Sequence, residues 1–257
     1  HKPLEIAEYF ATMDVMSGGK VVFGAALGYR NVEYKAFNIQ KGTGVVRFEQ
    51  NLEAIKRLWT EEKVSMKGEY FELDGASVSM PCVQEPHPPI WIGANADVAV
   101  DRAARLGDTW YISAHHRKDT LVRQVEFYKR CLDKYKKPFP AEWPLRREVF
   151  VAESREKAIE LVRPYLGLKY STYHAWGQSE PMPEGDTLGL EFDDLLENRF
   201  IFGTADEVAA EIVDYCDVLG TNHFITSCQW PGMPHSLVME GIHRFAEDVM
   251  PRVRQGL

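Results

Sequence analysis

The sequence has 257 residues, 45% of them hydrophobic and 26% charged, with a formal net charge of −8. That is the balance of a folded globular chain with a sizeable core, and it argues against a nucleic-acid or anionic-membrane surface, which needs clustered Lys and Arg. No apolar run reaches the ~18 residues of a membrane helix, no signal-peptide pattern is read, and Cys82, Cys131, Cys216 and Cys228 form no C-x-x-C pair, so they read as thiols of a reducing cytoplasm.

Residues 3–17 are expected to be helical. Pro3 suits the first turn, Leu4, Ile6, Ala7, Phe10 and Met13 follow a 3.6-residue period, and Gly18-Gly19 ends the helix. Residues 20–28 are nearly all apolar, the pattern of a strand covered on both faces of a parallel sheet. A polar stretch follows, then an amphipathic helix striped by Val46, Phe48, Leu52, Ile55, Leu58 and Trp59. Turn signals at Lys67-Gly68 and Asp74-Gly75 make residues 64–80 an antiparallel hairpin inserted into the main pattern.

Strand–helix alternation then resumes. Strands are expected at 88–94, 108–113, 145–153 and 223–229, and helices at 98–107, 119–136, 154–166, 204–220 and 236–253. Ser154 is an N-cap candidate, Thr204 and Glu207 form a capping box, and Gly220 terminates that helix. Residues 167–200 break the rhythm as a lid-like insert with a short acidic helix near 191–198. Five strands, each followed by a helix, mean a parallel sheet with crossover helices. An open doubly wound sheet is one solution. The other is a barrel lacking three strands, whose edge strands would be exposed.

Three blocks carry a resemblance. The first runs from Asp14 through Ser17, Gly19, Lys20, Gly24, Gly28, Tyr29 and Glu33 to Phe37; the second is PHPPIWIGANADVAVDRAARLGDTWY; the third joins FGTADEVAAEI, LGTNHFITSCQWPGMP and the last helix. In order and together, they resemble the bacterial-luciferase-like flavin-dependent oxidoreductases. The resemblance implies a (β/α)₈ TIM barrel as a single domain over 1–257, with about three N-terminal β/α units absent. It implies a monooxygenase using reduced FMN from a separate flavin reductase, with dioxygen and a small organic substrate, and a homodimer. An F420-dependent hydride-transfer enzyme and a non-catalytic flavin-binding protein are the alternatives on the same scaffold.

In such a barrel the site lies at the strand C-termini. Ala25, Ala26 and Leu27 would then border the cofactor, although small residues there also serve plain packing. Gly93, Ala94 and Asn95 precede a helix whose free N–H groups suit an anion, and the resemblance puts the flavin phosphate there; an ordinary N-cap by Asn95 is the alternative. Ser113 is a further cofactor contact. His115 and His116 are the acid/base candidates; adjacent on an extended chain they point apart and do not chelate, so no metal site is expected. Tyr29, Arg30, Trp230 and Met233 are the candidate substrate contacts.

Overall fold

The computed structural model describes residues 1–256. Contacts divide the chain into two compact units, one of residues 1–93 and 106–108, the other of residues 94–105 and 109–256.

In the first unit, α1 (Pro3–Ser17) ends as its sequence dictates. Gly18 takes the left-handed conformation at φ 65°, and its N–H returns to the last turn. The rest of the Asp14-to-Lys20 motif builds the same terminus. Ser17 Oγ donates to the Asp14 carbonyl and accepts from the Lys20 N–H, both at 3.1 Å. The buried Asp14 carboxylate accepts from the N–H groups of Val83 and Gln84 at 2.8 and 2.9 Å, and from Gln84 Nε2 at 2.7 Å. Burial pushes its pKa up, but these bonds outweigh it and hold the group charged below its usual range.

The strand β1 (Phe23–Ala25) is shorter than expected, and Gly24 is exposed. The expectation of cover on both faces is therefore corrected: among the described residues of this unit, β1 has a single strand partner, β4 (Ile90–Gly93), in parallel register. A short helix, α2 (Asn31–Ala36), and a single 3₁₀ turn lie in the stretch read as polar loop. Next comes α3 (Gly44–Thr60), whose Trp59 indole donates to the Ala7 carbonyl at 3.0 Å and packs edge-on to Phe23. The strands β2 (Val64–Lys67) and β3 (Glu72–Ala76) pair antiparallel. Asp108 clasps the start of β4: its carboxylate accepts from the Ile90 N–H at 2.8 Å, and its own N–H donates to the Ile90 carbonyl at 2.9 Å.

The second unit centres on β6 (Pro144–Val151). It pairs in parallel with β7 (Ile201–Gly203) on one side and β8 (His223–Ser227) on the other. The strand β5 (Thr109–Tyr111) runs on to Ile112, which bridges Leu145 in parallel. Parallel neighbours require crossovers, supplied by α4 (Asp97–Leu106), α5 (Lys118–Tyr135), α6 (Arg155–Ala175) and α8 (Ala205–Leu219). Ser154 accepts from the Lys157 N–H, and Thr204 and Glu207 complete the capping box. Trp110 belongs to the core: its indole donates to the Ala94 carbonyl at 3.0 Å, and Tyr128 stacks on Trp143.

Three element readings are corrected. The strand β7 was not among the expected ones. The helix α6 continues through Pro164 to Ala175, nine residues into the span read as irregular, because Val162, Leu166 and Tyr170 extend one buried stripe along it. Beyond it lies the short α7 (Phe192–Leu195). The last helix is α9 (His235–Arg244), a π-helical turn over Phe245–Val249, and α10 (Met250–Gly256). No helix of the described residues is long and apolar enough to cross a membrane.

Candidate functional site

In the first unit the register of β1 and β4 decides the geometry. Ala25 lies opposite Ile92, so both strands end at the same side. The turn after Ile92 and the small residues after Gly24 therefore open together. A Cβ built on Gly93 would stand 3.4 Å from Ala26 Cβ, so glycine keeps the space above Ala26 clear. Ala26 is exposed, with Ala25 and Leu27 half-buried. Tyr29 and Arg30 follow, and Arg30 is paired with Glu33 at 2.7 Å.

In the second unit the turn 94–96 leads into α4. Ala94 is buried. The Asn95 side-chain oxygen accepts from Ser113 Oγ at 2.9 Å, and its carbonyl accepts from Gln124 Nε2 at 2.8 Å. Asp97, at the first position of α4, is held by a two-pronged ion pair with Arg123 at 2.7 and 2.9 Å. A recess of about 360 Å³ beside this turn is lined by Ala96, Asp97, Arg123, Pro181, Pro183 and Glu184.

Ser113 also fixes His115. Its hydroxyl donates to Asn95 and lies 3.2 Å from His115 Nδ1, which Gln178 Nε2 also approaches at 3.4 Å. Burial, with His116 and the cations Lys169, Arg146 and Arg199 adding to it, pushes His115 down to about 3. The ring is densely surrounded yet keeps part of its surface open. Above about pH 3 it is a neutral imidazole rather than an imidazolium.

His116, the other acid/base candidate, is placed differently. It is fully buried, with Nδ1 3.1 Å from Asp186 Oδ2. Asp186 also accepts from the Arg117 N–H at 3.0 Å and from Arg199 at 2.8 Å. Arg199 donates in turn to the His115 carbonyl, and Arg147 to the His116 carbonyl at 3.0 Å. This network ties the stretch around Asp186 to the end of β5.

Trp230 and Met233 are the residues expected to wall a substrate. Both lie in the buried core with Phe150, Phe202 and Tyr170. The Trp230 indole donates to Glu148 Oε2 at 2.7 Å, and Lys169 donates to Glu148 Oε1. Trp230 has no exposed surface and Met233 is 8% exposed. The buried charges Arg147, Glu148, Lys169, Asp186 and Arg199 were not among the sequence candidates. The signal was present: Arg146, Arg147 and Glu148 interrupt an otherwise apolar strand, and charges rarely enter a core unpaired.

Parallel strands linked by helices, with small residues and a helix N-terminus at the strand ends, define an α/β fold of the barrel type. The sequence profile of the family described as luciferase-like monooxygenase matches residues 1–222, and the chain belongs to that family. It is 26% identical to the F420-dependent glucose-6-phosphate dehydrogenase of Amycolatopsis mediterranei, over 99% of this chain and 76% of that one. It is 23% identical to the oxygenase component of the flavin-dependent trigonelline monooxygenase of Acinetobacter baylyi, over 97% of this chain and 72% of the relative. Among solved structures, monooxygenase RslO1 from Streptomyces bottropensis superposes with a TM-score of 0.79 at 24% identity, covering 98% of this chain and 74% of that one. Family relatives are thus oxidoreductases that use either flavin or F420.

Proposed function

We propose that the chain is the oxygenase of a two-component flavin monooxygenase, taking reduced FMN from a separate reductase and using dioxygen to oxidise a small organic substrate. The observation that carries this is the common opening of the β1 and β4 ends, with Gly93 keeping the space over Ala26 free. A flat ring fits against Ala25 and Ala26 in the first unit. In the second unit, the turn 94–96 at the N-terminus of α4 is the reading's phosphate position, because such a turn suits an anion. Reduced FMN held there supplies the electrons that activate dioxygen. The chain's own residues bind, orient and shield. Ser113 and Gln124 hold the Asn95 turn in place, and His115 offers a neutral imidazole.

Charge favours FMN over F420. The recess by α4 has one lining cation, Arg123, against two carboxylates, Asp97 and Glu184. One phosphate is tolerable there; the longer anionic tail of F420 is repelled. Oxygen uptake with reduced FMN, and none with reduced F420, is the expected readout. A homodimer and a cytoplasmic setting belong to the same reading.

Asn95→Asp tests the phosphate position. The Ser113 hydroxyl can still donate to the new carboxylate, so the fold is kept. A second negative charge beside Asp97 is expected to weaken reduced-FMN binding about tenfold or more. Unchanged affinity in an anaerobic titration removes the assignment.

A further inference from the structure

Within the second unit, Arg146 is the one residue of β6 that keeps exposed surface; the other seven are buried. Its side chain is on the same face as Glu148, two residues on, and opposite to Arg147. Among the described residues, the acid on its strand face is already engaged: Glu148 gives one oxygen to Lys169 and the other to Trp230. Arg146 itself reaches Ser227 Oγ at 2.8 Å and the Tyr111 hydroxyl. Ser227 is neutral, and Tyr111 is a phenol that burial keeps protonated. His115, which also feels the Arg146 charge, is neutral as well. The charges on this face therefore sum to one uncompensated guanidinium, in a chain whose net charge is −8.

A guanidinium has five N–H donors in a planar fork. Ser227 and Tyr111 occupy two directions and orient the plane; the remaining donors match a carboxylate or phosphoryl group. Partly desolvated and without a counter-charge, such a group favours an arriving anion more strongly than a surface arginine does.

We propose that the substrate is an organic anion and that Arg146 receives its charged group. The word substrate rests on the oxygenase reading; the anion site does not. The test uses the flavin-free full chain and inorganic phosphate as probe, followed by isothermal titration calorimetry. Wild type is expected to bind phosphate saturably. Arg146→Gln is expected to weaken it about tenfold or more, and Arg146→Lys, which keeps the charge, to recover part of the affinity. Arg130→Gln, on an exposed position of α5, is expected to leave this binding intact. Absence of saturable binding in wild type, equal affinity in Arg146→Gln, or loss in Arg130→Gln overturns the proposal. If phosphate binds through Arg146 while reduced FMN does not bind at all, the anion site stands and the oxygenase reading falls.

Discussion

Asp186→Asn is expected to destabilise the second unit by about 3–5 kcal/mol, read as a lower urea midpoint at pH 7. Asp186 and Arg199 are each 1% exposed at the side chain, so removing the carboxylate leaves a buried guanidinium unpaired. Arg199 already has a buried Nε without a partner, so little remains to satisfy it. The Arg117 N–H and His116 Nδ1 lose their charged acceptor as well. Acid should act in the same direction. Burial pushes the Asp186 carboxyl up, but the His116 hydrogen bond and the Arg199 charge outweigh it and hold it at about 2, below its ordinary 3.8. Its contribution is therefore fully present above the unfolded value and is lost as pH falls through about 2. The wild-type midpoint should drop between about pH 4 and pH 2, and the variant should show less of that drop. Equal midpoints at pH 7 would show that the network does not anchor this segment.

Glu148→Gln is the second large effect. The amide oxygen can still accept from Trp230, so the lost element is the charge. Lys169, only 7% exposed at the side chain, is left as an unpaired buried ammonium, and a destabilisation of about 3–5 kcal/mol follows. Burial already lowers the Lys169 pKa, with Glu148 opposing that shift; without Glu148 the lysine should fall further. The double change Glu148→Gln with Lys169→Met removes the stranded charge and should regain most of the loss. Additive losses in a double-mutant cycle by urea denaturation would mean that the two residues do not act as a pair.

Local chemistry was the legible part of this sequence. The capping box at Thr204 and Glu207, the Ser154 cap and the left-handed Gly18 are set by residues within four positions of each other, and sequence alone exposes them. The antiparallel pairing of β2 with β3 was readable from the turn at Lys67-Gly68, whereas Asp74-Gly75, read as a second turn, lies inside β3. Failures came where distant packing overrides local signals. The helix read over 154–166 was too short, because a buried stripe carries α6 on to Ala175. The strand β7 is three residues long and owes its existence to pairing with β6. Trp230 looked like a pocket wall because it follows a strand. Only its bond to Glu148, 82 positions away, shows it to be core. His115 and Ser113 were legible as neighbours at the end of β5, but not the hydrogen bond that holds Ser113 to Asn95. Arg146 and the buried ion pairs were visible as charges in an apolar strand; which of them lacked a partner required coordinates.

The strand-end opening in the first unit is tested most directly by anaerobic titration of reduced FMN into wild type and Gly93→Val. The valine side chain would start 3.4 Å from Ala26 Cβ and fill the space that glycine leaves. Saturable binding by wild type, with affinity at least about tenfold weaker in a folded Gly93→Val protein, is the expected result. Equal affinity in the two proteins would contradict it and place any flavin elsewhere.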